Sequence, residues 1–176
     1  IFDESKVGII ITNGSQSGER NTLAGADFRY KTSRLMGHNN FSVDLWGVKN
    51  WNEKNGGNKS GFGIKIDYPN DLIDAAIQYN FFGDSLNPGL GFLPRAGYHS
   101  LYTAASYMPR PEKGLTGRLI RQWFFELRLT NYWDLNGELE SMQLFTAPVN
   151  FRTESGEHIE FNIIPNREVL PFDFEV

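Results

Sequence analysis

The 176-residue chain predicts an all-β domain built as an antiparallel meander, and three observations carry that expectation. Apolar and polar residues alternate with period two over segment after segment. The aromatic load is high, with 14 Phe, 7 Tyr and 4 Trp beside 18 Gly, a composition suited to strands and tight turns. Runs rich in Ala, Leu, Glu and Lys at helical spacing are missing from the sequence.

Residues 6–12 form a first, weaker strand. In 22–31 one face carries Ala24, Ala26, Phe28 and Tyr30 and the other Gly25, Asp27, Arg29 and Lys31. In 41–49 Phe41, Val43, Leu45 and Gly47 oppose Ser42, Asp44 and Trp46, and in 61–68 Phe62, Ile64, Ile66 and Tyr68 oppose Gly63, Lys65 and Asp67. Residues 72–82 set Ile73, Ala75, Ile77, Tyr79 and Phe81 against Asp74, Gln78 and Asn80. The stretch 98–107 is mixed, small and aromatic. Residues 119–130 alternate Trp123, Phe125, Leu127 and Leu129 against Gln122, Glu126 and Arg128, with Phe124 out of pattern. Residues 138–145 and 158–164 are weaker candidates, giving roughly nine strands.

Turn-forming residues fill 13–21, 31–40, 50–60, 69–71, 83–97, 109–116 and 131–137, and none of these reads as a helix. No repeat or linker divides the chain, so residues 1–176 are expected to form a single β-domain. The start at Ile1 and a final alternating run, Leu170-Pro171-Phe172-Asp173-Phe174-Glu175-Val176, predict a fragment of a larger barrel.

The net charge of -4 is small and its signs are mixed, so no basic stripe points to nucleic acid, which is excluded as a partner. Without cysteine, the sequence has no disulfide framework, thiolate zinc site or thiol nucleophile. No run of about 18 apolar residues offers a membrane-spanning helix, a criterion to which β-barrels are invisible.

Alternation alone fits either a soluble β-sandwich or small barrel, or a transmembrane barrel. Two features favour the membrane. Several segments reach about ten residues, enough to cross a bilayer at a tilt, whereas soluble strands centre on about five or six. The apolar faces also end in aromatics, such as Tyr30, Tyr68, Phe81 and Trp123, where interfacial girdles sit, while the opposite face mixes both signs of charge as a hydrated lumen does.

The segment 80–97 contains Gly83-Asp84, Asn87-Pro88, Gly91-Phe92 and Pro94-Arg95 in that order. It resembles the signature of a family of uncharacterised bacterial outer-membrane β-barrel proteins in which a family-9-like carbohydrate-binding domain precedes the barrel. The flanks 21–27 and 106–111 are similar to that family as well, and the resemblance runs from about Val7 to the end. It implies a location in the bacterial outer membrane, the lipid bilayer as partner, and a conduit or surface-binding platform linked to glycan use. The sugar-binding domain lies outside this sequence, so the resemblance carries sugar binding to no residue here, and carbohydrate is an open partner only of the family's kind. The other reading is a soluble β-domain acting as a carbohydrate-binding module or hydrolase.

No catalytic constellation emerges, and the sequence assigns no cofactor and no metal site. Gly14-Ser15-Gln16-Ser17-Gly18 has Gln where a nucleophile elbow needs Ser. His38, His99 and His158 are isolated and lack the spacing of zinc ligands. Asp67, Asp71, Asp74 and Asp84 read as turn and lumen carboxylates rather than a glycosidase pair.

The residues singled out for binding are Asp84, Asn87, Phe92, Arg95 and Trp51. Trp51 falls in a polar loop, where its ring could stack on a sugar or anchor at the membrane interface. In 83–97, the prolines fix extended residues before them, and Gly83, Gly89 and Gly91 permit φ > 0. Phe92 is expected to tuck against the sheet, and Asp84 to pair with Arg95 so that the loop folds over the barrel mouth as a lid or plug; the alternative is an ordered turn that only connects two long strands. The short turn 69–71 is expected to be periplasmic and the 50–60 and 83–97 loops extracellular.

Overall fold

The alternating segments pair in sequence order. The computed structural model describes residues 4–14, 20–52 and 56–169. The strands are β1 (Lys6–Asn13), β2 (Asn21–Leu35), β3 (Asn39–Asn52), β4 (Ser60–Pro69), β5 (Ile73–Phe82) and β6 (Tyr98–Tyr107). After a short helix α1 (Gly114–Leu119) come β7 (Ile120–Asp134), β8 (Leu139–Thr153), β9 (His158–Ile159) and β10 (Asn166–Glu168). All pairings are antiparallel, β1 through β8 lie side by side, and β9 and β10 both pair with β8. The sheet is not closed.

Several strands run on into expected turns, β2 to Leu35, β3 to Asn52 and β7 to Asp134, and three further details differ from the sequence reading. The 109–116 segment leads into α1, a single turn that was not expected. The predicted strand 138–145 continues to Thr153, past a proline that argues against a strand interior. The pairing explains this: Glu126 faces Ala147 and Phe124 faces Asn150, so Pro148 and Val149 sit in a bulge, where a missing N–H is tolerated. The predicted strand 158–164 keeps only β9 and an isolated bridge from Thr146 to Ile163, and β10 was not foreseen. Residues 170–176 and 15–19, on which the terminal run and the Gly14–Gly18 reading fall, lie outside the described residues.

The register settles which side chains share a face, because directly paired residues project the same way and a slip of one would invert them all. One rung runs Val7, Phe28, Leu45, Ile64, Tyr79, Leu101, Asn131 and Met142 across eight strands. The next on one side contains Ile9, Ala26, Gly47, Phe62, Phe81, His99 and Trp133, and the next on the other contains Tyr30, Val43, Ile66, Ile77, Thr103 and Leu129. The apolar residues read from alternation therefore do form one surface, with Phe62 and Lys65 on opposite sides.

Between these lie the polar rungs. Arg29, Asp44, Lys65, Gln78, Tyr102, Thr130 and Gln143 make one, and Arg29 is ion-paired with Asp44. Lys65 reaches Asp67 at 2.7 Å, and Arg128 pairs with Glu126. Asp44, Asp67 and Glu126 are thus matched locally on a face that carries both signs.

Nothing among the described residues covers the apolar face. Val7, Ile9 and Ile11 are 73%, 78% and 72% exposed, and Phe62, Ile73 and Leu127 are close to half exposed. Among the described residues, only Leu23, Leu86 and Ala147 are buried hydrophobics. The accessible surface is 12100 Å², against about 8,700 Å² expected of a soluble monomer of this mass. The described residues thus form one layer, without the second sheet a sandwich requires.

The connections after β1, β3, β5 and β7 lie at one end of the sheet, and those after β2, β4, β6 and β8 at the other. The second end is tied by Asn40 and Asn70, whose backbone and amide groups exchange hydrogen bonds of 2.7 and 2.9 Å. Arg110 there pairs with Asp71 and also donates to Gln122 Oε1 at 3.2 Å.

Candidate functional site

The 83–97 connection between β5 and β6 is the most elaborately held loop of the described residues. Its start is pinned to the β3–β4 connection. The N–H groups of Gly83 and Ser85 donate to Ser60 O and Asn58 O at 2.9 and 3.0 Å, and the Asn58 N–H donates to Asp84 Oδ1 at 2.5 Å. Gly83 is required by proximity, since a Cβ there would collide with the Asn58 carbonyl. Of the three glycines read as permitting φ > 0 in this loop, only Gly89 adopts it, at +67°.

The loop then turns over the polar face. Leu86 is 7% exposed and sits against Gly61, beside Val48, where the missing side chain leaves room. Next comes a cluster of three asparagines. The Asn87 N–H donates to Asn50 Oδ1 at 2.9 Å, Asn21 Nδ2 donates to Asn87 O at 2.9 Å, and Asn50 Nδ2 donates to Asn21 Oδ1 at 3.3 Å. Asn50 is fully buried and Asn21 nearly so, and they satisfy each other and the loop backbone together. Asn87 Oδ1 closes a local turn by accepting from the Gly89 N–H at 2.8 Å.

The far side of the loop reaches across to β8, where Arg95 is ion-paired with Glu140. Its guanidinium also lies 5.1 Å from the Tyr98 ring centroid. The loop therefore spans from β2 and β3, at Asn21 and Asn50, to β8, at Glu140. A cleft of ≈ 490 Å³ opens between it and the β3–β4 connection, lined by Asn52, Lys59, Asp84, Asn87, Pro88 and Leu93 among others.

The residues predicted for this site fare differently. Asn87 is central to the anchoring. Asp84 and Arg95 both hold the loop, but not to each other: Asp84 binds the Asn58 N–H and Arg95 binds Glu140, so the expected clamp is replaced by two separate ties. Phe92 does not tuck inward and is 87% exposed. Leu86 takes the inward position, because only there does a glycine on β4 leave space. Trp51 belongs to the end of β3, paired with Thr22, rather than to a loop. It is 53% exposed, with Lys49 Nζ 5.9 Å from its ring centroid. A hollow of ≈ 440 Å³ lies beside it, lined by Asn13, Arg20, Thr22, Trp51 and Asn52.

Sequence reading missed Asn21, Asn50, Leu86 and Glu140. The two asparagines stand at strand ends in polar stretches, where they resemble ordinary turn residues. Their one sequence signal is position: each falls on the polar-face parity of its own strand.

Elsewhere two of the isolated histidines have separate partners. His99 Nδ1 lies 2.5 Å from the Tyr79 hydroxyl on the apolar face, and His158 Nδ1 lies 3.2 Å from Glu160. Among the described residues, no three His, Asp or Glu side chains gather as metal ligands. Comparison of the chain with protein-family models, with curated proteins and with solved structures yields no match in any of the three.

Proposed function

We propose that this chain is part of the wall of a bacterial outer-membrane β-barrel, acting as a conduit or as a platform for binding at the cell surface. The observation that carries the reading is the uncovered apolar face, framed by aromatics at both ends and backed by an ion-paired polar face. Lipid is the partner that fits the first, and a hydrated lumen fits the second. Further strands would complete the wall beyond β1 and β10, whose outer edges are unpaired among the described residues.

The dimensions support it. Phe62, Phe81 and Trp133 share one rung near the loop end. Tyr107, Phe125, Trp123 and Phe151 cluster at the turn end, with ring centroids 5.1 to 6.3 Å apart. From Trp133 to Trp123 along β7 is about 33 Å of strand, or about 23 Å of membrane depth at a 45° tilt. An outward apolar band is about 25 Å tall. On β3 the band stops where Lys49 follows Gly47, with Trp51 beyond it as an interfacial residue. In this reading the 83–97 loop lies at the extracellular mouth and narrows it, and the short 70–72 turn is periplasmic.

Single-tryptophan variants in vesicles of brominated phosphatidylcholine test the reading. Trp123 and Trp133 are expected to be strongly quenched and Trp46, on the polar face, weakly. Equal quenching of all three, or a chain that stays monomeric in buffer without detergent, counts against it.

A further inference from the structure

The polar face carries one feature that the wall does not require and of which the loop anchoring uses a single member, Tyr98, beneath Arg95. At its loop end, four aromatic rings form a continuous row across the strands. Trp46 and Phe82 have centroids 5.4 Å apart, Phe82 and Tyr98 4.9 Å, and Tyr98 and Tyr132 5.7 Å. Strand β4 supplies no ring, and the gap is filled by design of the register: Gly63 is paired with Trp46, and the indole lies over it where a Cβ would strike its ring. All four residues are partly exposed. Unlike the rings of the opposite face, these have no lipid to cover them.

Their surroundings are hydrogen-bonding groups. Gln78 Nε2 donates to Asn80 Oδ1, and Asn80 Nδ2 donates to Ser100 Oγ, each at 3.3 Å, along the same face. Ring faces flanked by amides and hydroxyls suit a ligand that has apolar C–H faces and hydroxyl edges together. The charges nearest the row argue against an acidic ligand. Asp27 is paired with Trp46 and Asp134 with Tyr98, while Arg95 is already engaged by Glu140.

We propose that Trp46, Phe82, Tyr98 and Tyr132 form a binding track for a neutral oligosaccharide, with successive sugar rings stacked on successive side chains. The track rests on the barrel reading for its placement inside a lumen. Because barrel strands tilt by about 35–45°, a row running across them slopes along the pore axis and leads inward from beneath the 83–97 loop.

Calorimetric titration of the full chain in detergent micelles tests this with maltohexaose, cellohexaose, xylohexaose and hexagalacturonate. At least one neutral hexasaccharide is expected to bind, and hexagalacturonate more weakly than it. Phe82→Leu and Tyr98→Leu are each expected to weaken binding about tenfold or more, whereas Phe81→Leu, on the opposite face of the same strand, leaves it unchanged. Circular dichroism establishes that each variant is folded. Absence of binding by every neutral sugar to the folded chain overturns the proposal, as does binding that survives both substitutions or favours hexagalacturonate. Quenching of Trp123 and Trp133 by brominated lipid reads the membrane location independently. Quenching without sugar binding removes the track alone, and sugar binding without quenching removes the barrel and leaves the track.

Discussion

The backbone N–H of Asn87 donates to the side-chain oxygen of Asn50 at 2.9 Å, joining a loop to a strand 37 residues earlier in the chain. Asn50 is fully buried, and with Asn21 it is the fixed point over which the 83–97 loop closes. Substituting Asn50→Ala leaves the Asn87 N–H and one Asn21 oxygen without partners, at a cost of about 1–3 kcal/mol. Limited proteolysis should then cut within 83–97 many times faster than in the parent chain. Unchanged cleavage would mean that Leu86 alone holds the loop.

The second tie should be weaker. Arg95 and Glu140 are 46% and 36% exposed, so solvent screens their attraction, and a double-mutant cycle with Arg95→Ala and Glu140→Ala is expected to give a coupling below about 1 kcal/mol. Loosening should be confined to the β8 side of the loop, read by hydrogen exchange of residues 93–97. A coupling several times larger would show that the pair is better shielded than its exposure indicates.

Gly83→Ala is expected to destabilise the loop end by about 1–3 kcal/mol, because the new methyl meets backbone rather than a movable side chain. The Asn58 carbonyl it strikes also accepts from the Ser85 N–H at 3.0 Å, so relief of the clash breaks that bond. Gly47→Ala supplies the comparison. A Cβ there comes no closer than 3.9 Å to Gly61 O, and denaturant midpoints should separate the two variants clearly.

If the apolar face meets lipid, a charge in its middle rung must impede insertion. Ile64→Lys is expected to cost about 2–4 kcal/mol in a bilayer, and Thr130→Lys, on the polar rung with Gln143, far less. The yield of protease-protected protein in vesicles measures both. Comparable yields from the two variants would remove the assignment of faces to lipid and lumen.

In the turn after β8, the Ser155 and Thr153 hydroxyls donate to Glu157 and hold its carboxyl at about 2. A carboxyl depressed in the folded state contributes stability above its ordinary value, and that contribution is lost as pH falls from there through about 2. Ser155→Ala should move the Glu157 titration upward, toward the ordinary carboxylate range, in a carbon-detected NMR titration. No movement would assign the depression to Thr153 and the backbone instead.

Most of the sheet was legible in the chain because strand alternation is a local property. Ala24 to Tyr30, Phe62 to Tyr68 and Ile73 to Phe81 each declare a face within one segment, and pairing neighbours in order then aligns those faces without further information. Where a local rule was broken, legibility failed. Pro148 hid the second half of β8, since a bulge that tolerates proline is created jointly with β7 and cannot be seen from either strand alone.

The candidate site depended on distances between segments far apart in sequence. The order of Gly, Asn, Pro and Arg in 83–97 marked a shaped loop, but not which partners would shape it. Asp84 and Arg95 carry opposite charges in one short stretch, yet each finds a nearer partner on another segment, Asn58 and Glu140, once the strands are in register. Leu86 rather than Phe92 turns inward because Gly61, on a different strand, leaves the space. The row from Trp46 to Tyr132 is likewise assembled from four strands. Periodicity along the chain determines which way a side chain points, and only the packing of neighbouring strands determines what it meets.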